Sequence, residues 1–68
     1  MIHNINQIAK EYSILSNKRK DYKKFNEKDF IEFAKQNENK YSIIVKNDSL
    51  FVTTWYFNDL VNDYRKSI

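Results

Sequence analysis

The chain has 68 residues, enough for one small domain, and at this length a single core buries only about 60% of the unfolded surface. It has no Cys and one His, which excludes disulfides and thiolate metal sites and argues strongly against zinc. No apolar run approaches the roughly 18 residues of a membrane span, and no secretory leader is visible, so we expect a cytoplasmic protein. Twelve Lys and Arg against nine Asp and Glu give a net charge of +3, and homodimerisation or a larger partner would supply additional burial.

Residues for catalysis are sparse. Without Gly there is no Gly-rich phosphate loop, and His3 stands alone near the terminus. Asp59 and Asp63 are four residues apart, but no nucleophile or histidine accompanies them, and an exposed helix face explains both. We predict that the protein is not an enzyme and that it has no catalytic residue, metal site or cofactor.

The first predicted helix spans about 5–15. Asn4 and Gln7 have the spacing of a capping box, and the apolar residues that follow recur at helical spacing. This stripe consists of Ile2, Ile5, Ile8, Ala9, Tyr12 and Leu15.

A basic connector, 16–25, follows. Five of the twelve Lys and Arg residues lie between positions 18 and 24, and Tyr22 stands among them. Clustered cations favour phosphate backbones, although a solvated loop or an acidic protein partner would also explain them. The pattern does not decide between a loop and a short polar helix. The basic residues are Lys18, Arg19, Lys20, Lys23 and Lys24.

A second helix is predicted for 27–38. Asn26 can cap it with Asp29 at the third helical position, and Phe25 with Phe30 can form a hydrophobic staple. Asn39 is a candidate for a left-handed position that ends the helix.

The segment 41–54 is predicted to form a β-hairpin, since two β-rich runs flank Asn47-Asp48, a pair suited to a type I′ turn. This register makes one face almost wholly apolar and predicts it as the core side. The residues of that face are Tyr41, Ile43, Val45, Leu50, Val52 and Thr54. The other face carries the apolar pair Ile44 and Phe51 among polar residues.

The last predicted helix spans about 55–67, with Thr54 as its cap. Its apolar stripe consists of Phe57, Leu60, Val61, Tyr64 and Ile68. The predicted fold class is therefore α+β, a small winged-helix-like single domain with the order α-α-β-β-α and a two-stranded antiparallel hairpin.

From Asn26 to Ile68, the capped helix, Asn-rich break, hairpin and amphipathic helix resemble the small excisionase-like winged-helix proteins of mobile elements. The resemblance implies a DNA-binding accessory or regulatory protein of phage or mobile-element origin. It implies that the second helix reads DNA with Lys28, Glu32, Lys35 and Gln36, and that the wing presents Lys46 to Ser49. We therefore predict duplex DNA as partner, contacted by the basic residues 18–24, Tyr22, Lys28, Lys35 and Lys46.

A different helix-turn-helix register is also conceivable. Residues 5–14 resemble a first helix and turn, with Ser13 where Gly is usual, and 17–24 would then be the basic recognition helix.

Aromatic residues make up 16% of the chain and suggest an alternative function. Trp and Tyr dominate protein interfaces, so Trp55 with Ile44 and Phe51 would form a surface that binds and modulates a larger protein. Alternatively, Trp55 closes the hairpin over the core.

Overall fold

The computed structural model describes residues 1–18 and 25–68. In these ranges, the sheet and helices form one mixed α+β fold, which confirms the predicted class. In chain order the elements are β1 (Ile2–Asn4), α1 (Ile5–Lys18), α2 (Glu27–Gln36), β2 (Ile44–Lys46), β3 (Ser49–Thr53) and α3 (Thr54–Ser67).

The sheet has three described strands instead of the predicted two, in the order β1-β3-β2, and both pairings are antiparallel. Ile2 lies in β1 and pairs with Thr53 of β3, so it does not extend the apolar stripe of the first helix. The backbone N–H of Thr54 donates to the carbonyl of Met1 at 3.0 Å and extends this pairing. A strand of three residues is too short to show an alternating apolar and polar pattern in the sequence. These residues are extended because they pair with β3.

Helix α1 begins where the capping pattern predicts. The backbone N–H of Gln7 donates to the side-chain oxygen of Asn4 at 3.2 Å, and Ile5 and Ala9 are fully buried. The helix continues three residues beyond the predicted end, to Lys18. The turn expected at Ser13 in the alternative register is therefore wrong, because Ser lacks the conformational freedom with which Gly would break the helix there.

Helix α2 confirms its predicted start. The backbone N–H of Asp29 donates to the side-chain oxygen of Asn26 at 3.0 Å, and the rings of Phe25 and Phe30 lie 4.8 Å apart. The helix ends at Gln36, two residues early, because the side-chain amide of Asn37 donates to the carbonyl of Phe33 at 2.8 Å.

The predicted left-handed position at Asn39 is wrong. Among the described residues, positive φ occurs at Ser42, Asn47 and Asp48. Ser42, at φ 51°, therefore takes the left-handed conformation in the stretch between α2 and β2.

The hairpin turn is confirmed, with φ of 52° at Asn47 and 64° at Asp48. Val45 pairs with Leu50 as predicted, but β2 begins only at Ile44, so Tyr41 reaches the core from a turn. Val45 is 57% exposed and does not belong to the core, because β2 packs on β3 and on no described helix.

Helix α3 starts at Thr54, directly after β3. Thr54 is not its cap as predicted: Thr53 holds that position, without a side-chain capping bond. The hydroxyl of Thr54 is used elsewhere, since it donates to the carbonyl of Met1 at 3.3 Å.

The core lies between the helices and one face of the sheet. It is made of Ile5, Ala9, Phe25, Phe30, Ala34, Tyr41, Leu50, Val52, Leu60, Val61 and Tyr64. In the described ranges, no helix is long and apolar enough to cross a membrane. On the opposite, outer face of the sheet, Ile2 and Ile44 are exposed.

Candidate nucleic-acid interface and outer sheet face

The surplus of positive over negative charge lies in one segment of the chain. The described residues contain eight Lys and Arg and eight Asp and Glu, so they carry no net charge. The surplus of +3 belongs to 19–24, which holds four of the twelve cations and one of the nine acids. Five predicted DNA contacts, Arg19, Lys20, Tyr22, Lys23 and Lys24, therefore lie outside the described residues. Lys18, the last residue of α1, is exposed.

Two described residues on either side of 19–24, Ser16 and Phe25, are hydrogen-bonded to each other. The hydroxyl of Ser16 in α1 accepts from the backbone N–H of Phe25 at 3.2 Å and lies 3.3 Å from the carbonyl of the same residue. It also lies 2.9 Å from the carbonyl of Ser13. A hydroxyl has one proton to donate, so the two carbonyls share it.

A second hydroxyl holds the next residue. The hydroxyl of Tyr64 in α3 accepts from the backbone N–H of Asn26 at 3.3 Å and donates to its carbonyl at 3.4 Å. Burial raises the pKa of Tyr64, so the hydroxyl keeps its proton at neutral pH. The start of α2 is thus bonded to both α1 and α3.

Aromatic packing surrounds this junction. Phe25 is buried, and its ring lies 5.5 Å from that of Tyr12 and 4.8 Å from that of Tyr64, both edge-on. The guanidinium of Arg65 lies 5.7 Å from the centre of the Tyr12 ring, within cation–π range. A positive group of α3 therefore lies over the aromatic ring that contacts Phe25, the first described residue after 19–24.

The residues that the winged-helix resemblance implies for DNA contact lie together on the exposed face of α2. Lys28, Glu32, Lys35 and Gln36 line one shallow groove of about 520 Å³ together with Ile31. The groove thus has two cations, one acid and one amide. Because Glu27 and Asp29 lie in the first turn, the helix as a whole is slightly acidic.

Lys46 lies on a different surface. It pairs with Ser49 on the outer face of the sheet and lines a groove of about 330 Å³ with Ile2, Ile44 and Phe51. None of the groove-lining residues of α2 lines this second groove.

The outer sheet face carries an exposed apolar patch. Ile44 and Phe51 are direct cross-strand partners, as predicted, and are joined by Ile2 of β1. Ile2 is 56% and Ile44 45% exposed. Sequence reasoning missed Ile2, since its spacing also fits the stripe of the following helix.

Trp55 projects into solvent from the first turn of α3. Its side chain is 83% exposed, so the interpretation that it closes the hairpin over the core is wrong. It faces away from Leu60 and Tyr64, two of the three buried residues of the same helix.

Two further side-chain groups are structural in their contacts. The hydroxyl of Tyr41 donates to the Asp63 carboxylate at 2.5 Å, and the Lys40 ammonium lies 3.6 Å from the same carboxylate. His3 stacks on Phe57 with ring centres 4.6 Å apart, and its Nε2 lies 3.0 Å from the hydroxyl of Thr54. In residues 1–18 and 25–68, no cluster of His, Asp and Glu could hold a metal ion.

Comparison with known proteins gives no relative: no family model, curated protein or solved structure matches the chain.

Proposed function

We propose that the protein binds duplex DNA through residues 18–24 and the exposed face of α2, as a small accessory or regulatory factor. One observation carries the proposal: the whole charge surplus falls between Ser16 and Phe25, two points joined by hydrogen bonds. Cations that lie close together in the sequence of an otherwise neutral protein attract a phosphate backbone more strongly than the same charges spread along the chain. A DNA-binding role also fits the cytoplasmic location expected from the sequence.

The face of α2 complements this charge. Lys28 and Lys35 flank Glu32 in one groove, and the amide of Gln36 adds a donor and an acceptor. A mixed face of this kind supplies hydrogen bonds more than attraction, so the basic segment provides most of the phosphate binding in the proposal. Lys46 stays a separate prediction, since its side chain lies on the outer sheet face.

Fluorescence anisotropy with labelled duplex DNA tests this surface. The variant Lys28→Gln/Lys35→Gln should bind roughly threefold to tenfold more weakly, since each exposed ion pair contributes up to about 1 kcal/mol. The control Lys10→Gln/Lys66→Gln removes the same charge from exposed positions of α1 and α3 and should bind almost as the parent does. Equal weakening of both variants would assign the effect to net charge and exclude a contact role for α2.

The outer sheet face favours a second candidate, an interaction module that binds and modulates a larger protein. The supporting observation is the exposed apolar patch of Ile2, Ile44 and Phe51, together with the exposure of Trp55. Large exposed apolar residues of this kind are typical of protein interfaces.

A sizing experiment beside the DNA assay separates the two functions. Salt-sensitive DNA binding by a monomer supports the first. No DNA binding, together with a dimer that becomes monomeric on Trp55→Ala or Ile44→Ser, supports the second.

A further inference from the structure

Strand β2 lies at an edge of the described sheet, and one of its residues has both backbone groups turned to the open side. Lys46 and Ser49 flank the two-residue turn, so they form a hydrogen-bonded pair of the hairpin. Because such pairs alternate along antiparallel strands, Val45 and Leu50 form a pair without hydrogen bonds. The backbone N–H of Leu50 accordingly donates to the side-chain oxygen of Asn6 at 3.0 Å, away from β2. The N–H and the carbonyl of Val45 therefore point away from β3.

The open edge of β2 is short. The backbone N–H of Ile43, which alternation directs to the same side as that of Val45, donates to the carbonyl of Glu38 at 2.8 Å. Glu38 therefore lies beside the start of β2, and the turn at Asn47 ends the strand on the other side. A peptide that adds a strand to a sheet gains affinity from a run of main-chain hydrogen bonds, and this edge offers it the two groups of Val45. A second Val45, related by two-fold symmetry, closes both groups at once, since the residues of a hydrogen-bonded antiparallel pair exchange both bonds.

We propose that β2 pairs with β2 of a second copy of this chain, antiparallel and centred on Val45. The two Val45 side chains, each 57% exposed, then form a β-branched cross-strand pair. In this register Ile44, which is 45% exposed, faces Lys46 of the second copy. The aliphatic stem of Lys46 can cover Ile44, and like charges do not lie opposite each other.

The charges at the two ends of the contact are complementary. Glu38 lies beside Ile43, the residue before Ile44, so the pairing brings Lys46 of the second copy next to Glu38. Both side chains are exposed, and the two-fold symmetry forms this ion pair twice. The edge of β2 is therefore complementary to itself in hydrogen bonds, apolar contact and charge.

The inference goes beyond the proposed function, because none of these residues lines the groove of α2. Three paired residues per copy make an interface of less than about 1,200 Å², the range of weak and transient complexes. The dimer should therefore form at high protein concentration and dissociate at the low concentrations of a DNA-binding assay. The dimer and the proposed function can thus fail separately.

Sedimentation equilibrium over a range of protein concentrations tests the contact. The parent should show a monomer–dimer equilibrium, and Val45→Pro should stay monomeric at concentrations where the parent dimerises. Proline removes the N–H that points to the open edge and keeps the pairing with β3, as it does in other edge strands. Urea unfolding of both proteins, at a dilution where the parent is monomeric, checks that the variant folds. A parent that stays monomeric up to about 1 mM, or a dimer that Val45→Pro leaves intact, would overturn the inference.

An exchange of the two charges tests the register without the proline variant. Lys46→Glu and Glu38→Lys should each raise the dissociation constant of the dimer about twofold to thirtyfold, because each brings like charges together twice. The double variant Lys46→Glu/Glu38→Lys should restore the parent value. Lys10→Glu makes the same charge change at an exposed position of α1 and should leave the dimer unchanged. A double variant that dimerises no better than either single variant would show that this pairing is wrong.

Discussion

The hydroxyl of Tyr41 donates a 2.5 Å hydrogen bond to the carboxylate of Asp63, and this bond ties the turn after α2 to the helix that ends the chain. Lys40 adds its ammonium at 3.6 Å from the same carboxylate and 5.4 Å from the Tyr41 ring. Tyr41 is buried although it lies in a turn. The bond therefore anchors a core residue that no strand holds.

The Tyr41–Asp63 bond predicts an acid sensitivity. The hydrogen bond from Tyr41, with the nearby Lys40 and Lys66, lowers the pKa of Asp63. The pKa of Asp63 is lower in the folded protein than in the unfolded chain, where it is near 3.9. Ionised Asp63 therefore stabilises the fold above that pH, and this stability is lost as the pH falls through the folded-state pKa. In thermal melts from pH 7 to pH 2, the melting temperature of Asp63→Asn should fall less at acid pH than that of the parent. Asp59→Asn should show the same acid loss of stability as the parent. Parallel acid profiles for Asp63→Asn and the parent would contradict this.

The same bond predicts the opposite dependence at alkaline pH. Burial, followed by the bond to Asp63, raises the pKa of Tyr41. The stability that protonated Tyr41 contributes is fully present below its pKa in the unfolded chain, near 10. This contribution decreases as the pH rises above that value. Tyr41→Phe should therefore lose less stability than the parent between pH 9 and pH 11, measured by urea unfolding. Tyr56→Phe, which leaves this bond intact, should follow the parent.

Ser42 predicts a stabilising substitution. Its φ of 51° is left-handed, a conformation that is costly for Ser and free of strain for Gly. Ser42→Gly should raise the free energy of unfolding by on the order of 1 kcal/mol. Ser49→Gly is the matched control, because Ser49 lies in β3, where Gly costs roughly 0.5–1 kcal/mol. Equal destabilisation by both changes would argue against the left-handed conformation.

Trp55 should contribute little to stability despite its size. With 83% of its side chain exposed, Trp55→Ala should change the free energy of unfolding by no more than about 0.5 kcal/mol. Leu60→Ala in the same helix removes a fully buried side chain and should cost about 2–5 kcal/mol. A large decrease in the free energy of unfolding for Trp55→Ala would indicate that Trp55 is part of the core.

Local signals in the sequence predicted the parts of the fold that local chemistry determines. The Asn26 cap, the Phe25–Phe30 staple and the Asn47-Asp48 turn depend on neighbours within five positions, and all three are present. Strand β1 was not predicted, because Ile2 is extended only through its pairing with Thr53, far along the chain. The exposure of Val45 likewise depends on which helices reach β2.

The candidate site divides in the same way. The grouping of Lys28, Glu32, Lys35 and Gln36 was implied by the winged-helix resemblance, and these residues line one groove of α2. The hydroxyl contacts of Ser16 and Tyr64 with the start of α2 were not predicted, since Ser16 carries no periodic signal and Tyr64 was assigned only to an apolar stripe. A polar atom at the end of a core side chain is visible to sequence reasoning, but its partner is not.

The most direct test of DNA binding is the slope of log affinity against log salt for duplex DNA. About five phosphate contacts predict a slope near −4.5. Lys20→Gln/Lys23→Gln should reduce its magnitude by about 1.8, at 0.9 per lost contact, while Lys10→Gln/Lys66→Gln leaves it unchanged. A slope near zero, or equal slopes for the parent and Lys20→Gln/Lys23→Gln, would contradict DNA binding through the basic segment.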